Sequence, residues 1–166
     1  PGFYADRVRI MAWDRATRAH AAMIGDWKLS PAHWSFGEDG ALYFEAEEAA
    51  RTSLFRWSGK GEPERIVRGG TLTGLSPARG RLFFALQNMS EPPEVHAAAP
   101  DGSGLARLTR FTESVTSRVA TGEVREVQLE GAYGETIQMF IVLPPGHREG
   151  TRYPLIKVVH GGPHAT

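Results

Sequence analysis

The 166-residue chain is long enough to bury a sizeable core, and its 19 Lys and Arg balance its 19 Asp and Glu, so the formal net charge is zero with His neutral. Neither sign gathers in blocks, so nucleic acid and membrane surfaces are not expected partners. With no cysteine, disulfide staples, thiolate catalysis and Cys-ligated zinc are excluded; no apolar run approaches the roughly 20 residues of a membrane helix, and a cytoplasmic location is expected.

The chain opens at Pro1 rather than Met, so the natural N-terminus is expected to lie elsewhere. Its first strand-like run is Ile10-Met11-Ala12-Trp13-Asp14, with a short strand near Ala21 to Ile24. Then a repeat begins. Gly40-Ala41-Leu42-Tyr43-Phe44 returns 40 residues later as Gly80-Arg81-Leu82-Phe83-Phe84. Each copy follows a turn-rich lead-in, Phe36-Gly37-Glu38-Asp39 or Ser76-Pro77-Ala78-Arg79. Each is followed by another strand and turn, Leu54 to Gly59 in one and Val95 to Gly102 in the other. Short final strands are expected around Arg65 to Val67 and Ala106 to Thr109. Short aromatic and branched runs broken by Gly, Pro and Asp favour strands over helices. A period near 40 with four strands per unit reads as β-propeller blades. A β-sandwich also spaces short strands evenly, but the register of the Gly-x-Leu-aromatic-Phe repeat favours the propeller. The prediction is half a blade over about 7–24 and two full blades over about 32–68 and 72–110, making 1–110 a partial propeller.

Residues 111–122 are polar and rich in Ser and Thr, as a linker between domains would be. From 123 to 166 the pattern changes. Val124 to Glu130 alternates like a half-buried strand, Ala132-Tyr133-Gly134-Glu135 makes a turn, and Thr136 to Leu143 returns as a second strand closed by Pro144-Pro145-Gly146. Leu155 to Val159 is more uniformly apolar, as expected of a strand covered on both faces. A hairpin followed by a buried strand is how an α/β-hydrolase sheet begins. The expected fold class is therefore mostly β, with the C-terminal blades of a propeller followed by the first strands of an α/β-hydrolase domain.

The chemistry sits at the end of that third run, in His160-Gly161-Gly162-Pro163. Acyl transfer places negative charge on the former carbonyl oxygen, and a pre-aimed backbone N–H there is worth roughly 3–4 kcal/mol. Glycines let the backbone approach closely, and Pro163 limits the loop's freedom. A Gly-Gly loop directly after a hydrolase strand is where half of an oxyanion hole is built. His160 and His164 stand four apart, but the glycines and proline between them forbid the helix a zinc pair would need, so no metal or other cofactor is expected. Ser103 lies in a Gly-Ser-Gly turn without the strand-to-helix setting of a nucleophile, and no Gly-x-Ser-x-Gly occurs in these residues.

Together these parts resemble the prolyl-oligopeptidase family of serine peptidases, closest to its acylaminoacyl-peptidase and dipeptidyl-peptidase-like members. The resemblance runs the length of the chain. It is carried by Leu75-Ser76-Pro77, Ser90-Glu91-Pro92-Pro93-Glu94-Val95 and Leu108-Thr109-Arg110-Phe111 in the blades. Tyr133-Gly134-Glu135-Thr136-Ile137, Leu143-Pro144-Pro145-Gly146, Tyr153-Pro154-Leu155-Ile156 and His160-Gly161-Gly162-Pro163-His164 carry it in the second part. Thr112 departs from the pattern, standing where the family more often has Asn. The resemblance implies a propeller that filters by size over a hydrolase that cleaves short peptides. It also implies Gly162 as an oxyanion N–H donor supported by His160, Gly161 and Pro163, and a Ser-Asp-His triad further along than residue 166. No catalytic residue is therefore expected within the chain.

Two and a half blades do not close a ring, and three hydrolase strands lack covering helices. The chain is expected to be a piece of a larger protein, whose remaining propeller and hydrolase parts, on the same chain or a second polypeptide, are partners beside the peptide substrate. A non-catalytic propeller scaffold is one competing function and an esterase of the same hydrolase fold is another. The tail from 123 to 166 argues against the first, and the propeller argues against the second.

Overall fold

A computed structural model describes residues 6–159. Strands β1 (Met11–Trp13) and β2 (His20–Ala22) form a hairpin. Strands β3 (Pro31–Phe36), β4 (Leu42–Glu48), β5 (Arg51–Trp57) and β6 (Glu64–Val67) then form an antiparallel meander. A second meander follows in β7 (Thr71–Ala78), β8 (Arg81–Gln87), β9 (Glu94–Ala98) and β10 (Ala106–Arg107). The 40-residue repeat thus places Leu42 and Leu82 at matching positions of matching strands. One parallel bridge, Thr52 to Thr71, joins the meanders edgewise. Their main association is face to face, consistent with the stacking of propeller blades.

The reason lies in β4. Leu42, Tyr43, Phe44, Glu45 and Ala46 are all buried, so both faces of the strand are covered. Successive side chains point to opposite faces. Leu42, Phe44 and Ala46 pack with Phe55, Ile10 and Ile24 on the side of the β1–β2 hairpin. Ala41 and Tyr43 pack with Leu72, Leu82 and Phe84 of the second meander. Trp27, on the connection from β2 to β3, meets Phe44 and Phe55 edge-on, each at 5.1 Å between ring centroids, while those two rings stack at 5.8 Å. Residues flanking the β1–β2 hairpin therefore form a layer of the core.

It covers only part of its neighbour. Trp34 and Phe36 pair across the ladder with Phe44 and Leu42, so they share the face toward the hairpin. They nevertheless remain 55% and 53% exposed.

Two bulges bring the layers into register. One interrupts β3 at His33, whose φ is 36°, and the other interrupts β7 around Gly74, whose φ of 71° suits a residue without Cβ. The second bulge frees the Leu75 N–H from the ladder, and it donates to the buried Glu45 carboxylate of β4 at 3.0 Å. The His33 ring nitrogen lies 3.3 Å from the other Glu45 oxygen. Both irregularities therefore converge on one buried acid.

After the blades come a single helical turn, α1 (Glu113–Thr116), and the predicted hairpin of β11 (Val124–Glu130) and β12 (Thr136–Val142). Within 111–122, expected to be a linker, residues Glu113–Thr116 form α1. The third predicted strand differs. Residues 155–159 are not in a strand, and Leu155 and Ile156 are 88% and 86% exposed. A central strand takes its ladder and its cover from neighbours, yet β11 and β12 pair with one another. No flanking strand or covering helix for 155–159 occurs among the described residues. Among those residues, too, no helix is long and apolar enough to cross a membrane.

The layered core gives a direct test. Phe44→Ala should cost about 3–5 kcal/mol, because it empties a site walled by Trp27 and Phe55. Trp34→Ala, next to the bulge on the open part of the same face, should cost about 1 kcal/mol or less. Urea unfolding of both variants checks the ranking; equal losses would contradict it.

Candidate functional site

The sequence-predicted site residues His160, Gly161, Gly162 and Pro163 lie outside the described residues, and so does His164. What the structure describes is the junction that leads to them. Because strands alternate in direction, the β4–β5, β6–β7 and β8–β9 connections leave the blades at one end. At that end they meet the β11–β12 hairpin. Between them lies a cleft of about 510 Å³, lined by Gly70, Gln87, Asn88 and Met89 from the blades and by Val124 and Phe140 from the hairpin. This is within the usual size of a small-ligand site.

One wall of the cleft is built to be stiff. Asn88 Oδ1 accepts the N–H groups of Ser90 and Glu91 at 2.8 and 2.9 Å, and its own N–H donates to the Glu91 carbonyl at 3.0 Å. Side-chain acceptance by Asn two and three residues ahead is what closes such a turn. Behind this loop lies a second cavity of about 470 Å³, lined by Arg107, Thr112, Thr116 and Thr121 and sharing Asn88 and Ser90 with the first.

The blades are joined to the following segment by Glu94, at the first position of β9. Its side chain is 2% exposed. Thr112 donates to Oε1 through both its hydroxyl, at 2.7 Å, and its N–H, at 2.8 Å. The Phe111 N–H donates to Oε2 at 3.1 Å, as does the Thr109 hydroxyl at 2.5 Å, while Arg107 reaches Oε1 at 3.1 Å. Burial alone would raise the carboxyl's pKa; the donors from Thr109, Thr112 and Phe111 outweigh it and hold the acid well below the usual carboxylate range. Thr112, the departure from the family pattern, thus supplies two of the contacts that start α1. A buried carboxylate needs such donors, because unpaired it would cost several kcal/mol.

On the other side of the cleft, Arg51 at the start of β5 extends toward the hairpin. It donates to Glu126 at 2.6 Å and lies over the Phe140 ring, 5.4 Å from its centroid. Gln138 Nε2 donates to Glu126 at 2.8 Å and to the Ala49 carbonyl at 3.1 Å. These bonds, the one from Arg51 first, lower the pKa of Glu126. Glu126, Gln138 and Phe140 share one face of the hairpin, since Glu126 pairs with Phe140 and Gln128 with Gln138. Sequence reasoning did not single out Arg51, Glu94, Glu126 or Gln138 as site residues. The Pro92-Pro93-Glu94 run was a signal for one of them; the others are ordinary strand charges and amides until the two units meet.

Among the described residues no three His, Asp or Glu side chains gather as a metal site. Ser103 is placed in a loop where its N–H donates to Asp101 Oδ1 at 2.9 Å, as expected of a turn.

No family model matches the chain. Its sequence is 24% identical to dipeptidyl-peptidase 5 of Porphyromonas gingivalis, over 99% of this chain and 25% of that protein. It is 22% identical to a probable dipeptidyl-peptidase 5 of Aspergillus niger, over 97% of this chain and 23% of that one. In structure it is similar to the uncomplexed acylaminoacyl peptidase of Pyrococcus horikoshii, with a TM-score of 0.67 and 19% identity over 82% of this chain and 21% of that one. A prolyl endopeptidase aligns with a TM-score of 0.57 and 16% identity over 87% of this chain and 22% of that one. The chain therefore spans about a quarter of the length of the curated relatives it matches.

Glu94 makes the junction sensitive to acid. Because its pKa is depressed in the folded state, its contribution is complete above the ordinary value near 4.5 and declines as pH falls below that toward the folded value. Glu94→Gln should lower the urea midpoint at neutral pH and should flatten the loss of stability on acidification. A variant with the same acid slope as the parent sequence would show that Glu94 carries no such linkage.

Proposed function

We propose that this chain, which matches the prolyl-oligopeptidase family of peptidases in both sequence and fold, belongs to a serine peptidase that hydrolyses short peptides by acyl transfer. The observation that carries the reading is the match to dipeptidyl-peptidase 5 across nearly the whole chain, blades and hairpin together, in one order. In this reading residues 1–110 are the last blades of the propeller and 111–122 the linker. Residues 123–166 begin the α/β-hydrolase domain. The propeller admits peptides and excludes folded proteins by size.

The chemistry assigned to the chain is electrostatic. As the nucleophile attacks, charge builds on the substrate's carbonyl oxygen, and the Gly162 N–H is one of the donors that meet it. Gly161 and Gly162 allow the close approach, and His160 and Pro163 set the loop's entrance and exit. The triad of Ser, Asp and His belongs to sequence beyond residue 166. The partners are a short peptide and the remaining propeller and hydrolase parts. A cytoplasmic setting belongs to the same reading, and a chain without cysteine is compatible with it. A non-catalytic scaffold would leave the docking of β11–β12 on the blades without a purpose.

The test is chemical. The parent protein should hydrolyse peptide anilides and take up one fluorophosphonate per chain at a serine in a Gly-x-Ser-x-Gly, whereas residues 1–166 alone should do neither. In the parent, Gly162→Pro removes the donor and should lower kcat by about 100-fold or more. Stoichiometric labelling of residues 1–166 would overturn the assignment.

A further inference from the structure

We infer that Arg51, Glu126, Gln138 and the Ala49 carbonyl form a latch that holds the β11–β12 hairpin against the blades and so sets the width of the cleft between them. The peptidase reading enters only through the consequence for substrate choice.

Three observations converge on the latch. First, two bonds cross between the units, Arg51 to Glu126 and Gln138 to the Ala49 carbonyl, and one more on each side ties their partners together: Gln138 also donates to Glu126, and Arg51 Nη1 donates to the Ala49 carbonyl at 3.1 Å. Second, that carbonyl is presented by a strained turn. Ala49 and Ala50 form a two-residue β4–β5 connection with φ of 50° and 55°, a conformation that favours Asn and Gly and is costly for alanine. Strain of this kind persists where surroundings hold it; the β4–β5 ladder closes on the turn at Glu48 and Arg51, and two latch donors sit on its carbonyl. Third, the hairpin has the tether a moving part needs. Glu94 fixes the chain at Thr112, whereas Ala120, Thr121 and Glu123 are exposed and outside regular structure. From Gly122 onward the chain moves with the hairpin, because Gly122 lies so close to the Leu143 carbonyl that a Cβ there would overlap it.

The cleft has one wall on each side of this hinge. The Asn88 loop stays with the blades, and Val124 and Phe140 travel with the hairpin. Arg51 and Glu126 are 22% and 35% exposed, so salt screens the pair only in part. Arginine suits the position because its planar fork both donates and stacks on Phe140, which lysine reproduces poorly.

The experiment is hydrogen exchange by mass spectrometry on the full parent protein, with peptide kinetics beside it. Arg51→Ala should speed exchange in 124–142 by about tenfold, with Arg51→Lys in between, and adding Glu126→Gln should speed it no further, since the pair is already broken. The neighbouring Ala50→Gly relieves the turn and should not speed exchange. If Arg51→Ala also loosens β4 and β5, the exchanged pair Arg51→Glu with Glu126→Arg decides: exchange in the hairpin should return toward the parent's rate. In kinetics, the ratio of kcat/KM for a long peptide over a dipeptidyl anilide should rise about threefold in Arg51→Ala. Unchanged hairpin exchange overturns the latch whatever the enzyme does. Faster exchange with no peptide cleaved by any form leaves the latch standing and overturns the peptidase reading together with its size selection.

Discussion

Burial of β4 on both faces is the constraint from which the rest of the structure follows. A strand with Leu42, Phe44 and Ala46 on one side and Ala41 and Tyr43 on the other cannot be satisfied by one sheet with a solvated face. It needs a layer on each side, and the 40-residue repeat provides the second meander for one of them. The β1–β2 hairpin with Trp27 provides the other, in part. Each large side chain that this strand takes from water contributes about 1.5–3 kcal/mol, and Leu42, Tyr43 and Phe44 are all buried.

Polar groups then decide how the layers register. Glu45 would be costly in this core if left alone, and it is not alone: it takes the Leu75 N–H that the β7 bulge releases. Glu94 does the same at the end of the second blade, where it gathers Thr109, Phe111 and Thr112. Each buried acid turns an irregular piece of backbone into a specific contact. Removing the acid leaves donors without partners, and removing the irregularity leaves the acid without donors. Such reciprocal dependence specifies one arrangement among the several that apolar packing would tolerate.

The same logic carries outward to the cleft. Its blade wall is stiffened by Asn88 and its hairpin wall is positioned by Arg51 and Gln138, so two short hydrogen-bonded clusters define a space of about 510 Å³. The hairpin's other face, with Val127, Leu129, Ile137, Met139 and Ile141, stays open or half-open. That asymmetry distinguishes a hairpin docked by polar contacts from one buried in a finished sheet. It also explains why Leu155 to Val159, apolar as it is, is not a strand: burial requires neighbours as well as hydrophobicity.

Local pattern was enough for much of this. The Gly-x-Leu-aromatic-Phe repeat located both blades, because strand alternation and turn residues are encoded within a few positions of one another. Val124 to Glu130 and Thr136 to Leu143 were legible as a hairpin for the same reason. The family likeness was carried by short motifs such as Tyr133-Gly134-Glu135 and Leu143-Pro144-Pro145-Gly146, which need no knowledge of contacts. Which charges would matter was decided by the tertiary structure alone. Arg51 and Glu126 are 75 residues apart, and Glu45 and Leu75 are 30 apart. Their meaning depends on the angle at which layers meet, and that angle comes from side-chain packing summed over the core. A sequence states which residues must be buried or turned; the partners of its polar groups are chosen only when distant strands arrive.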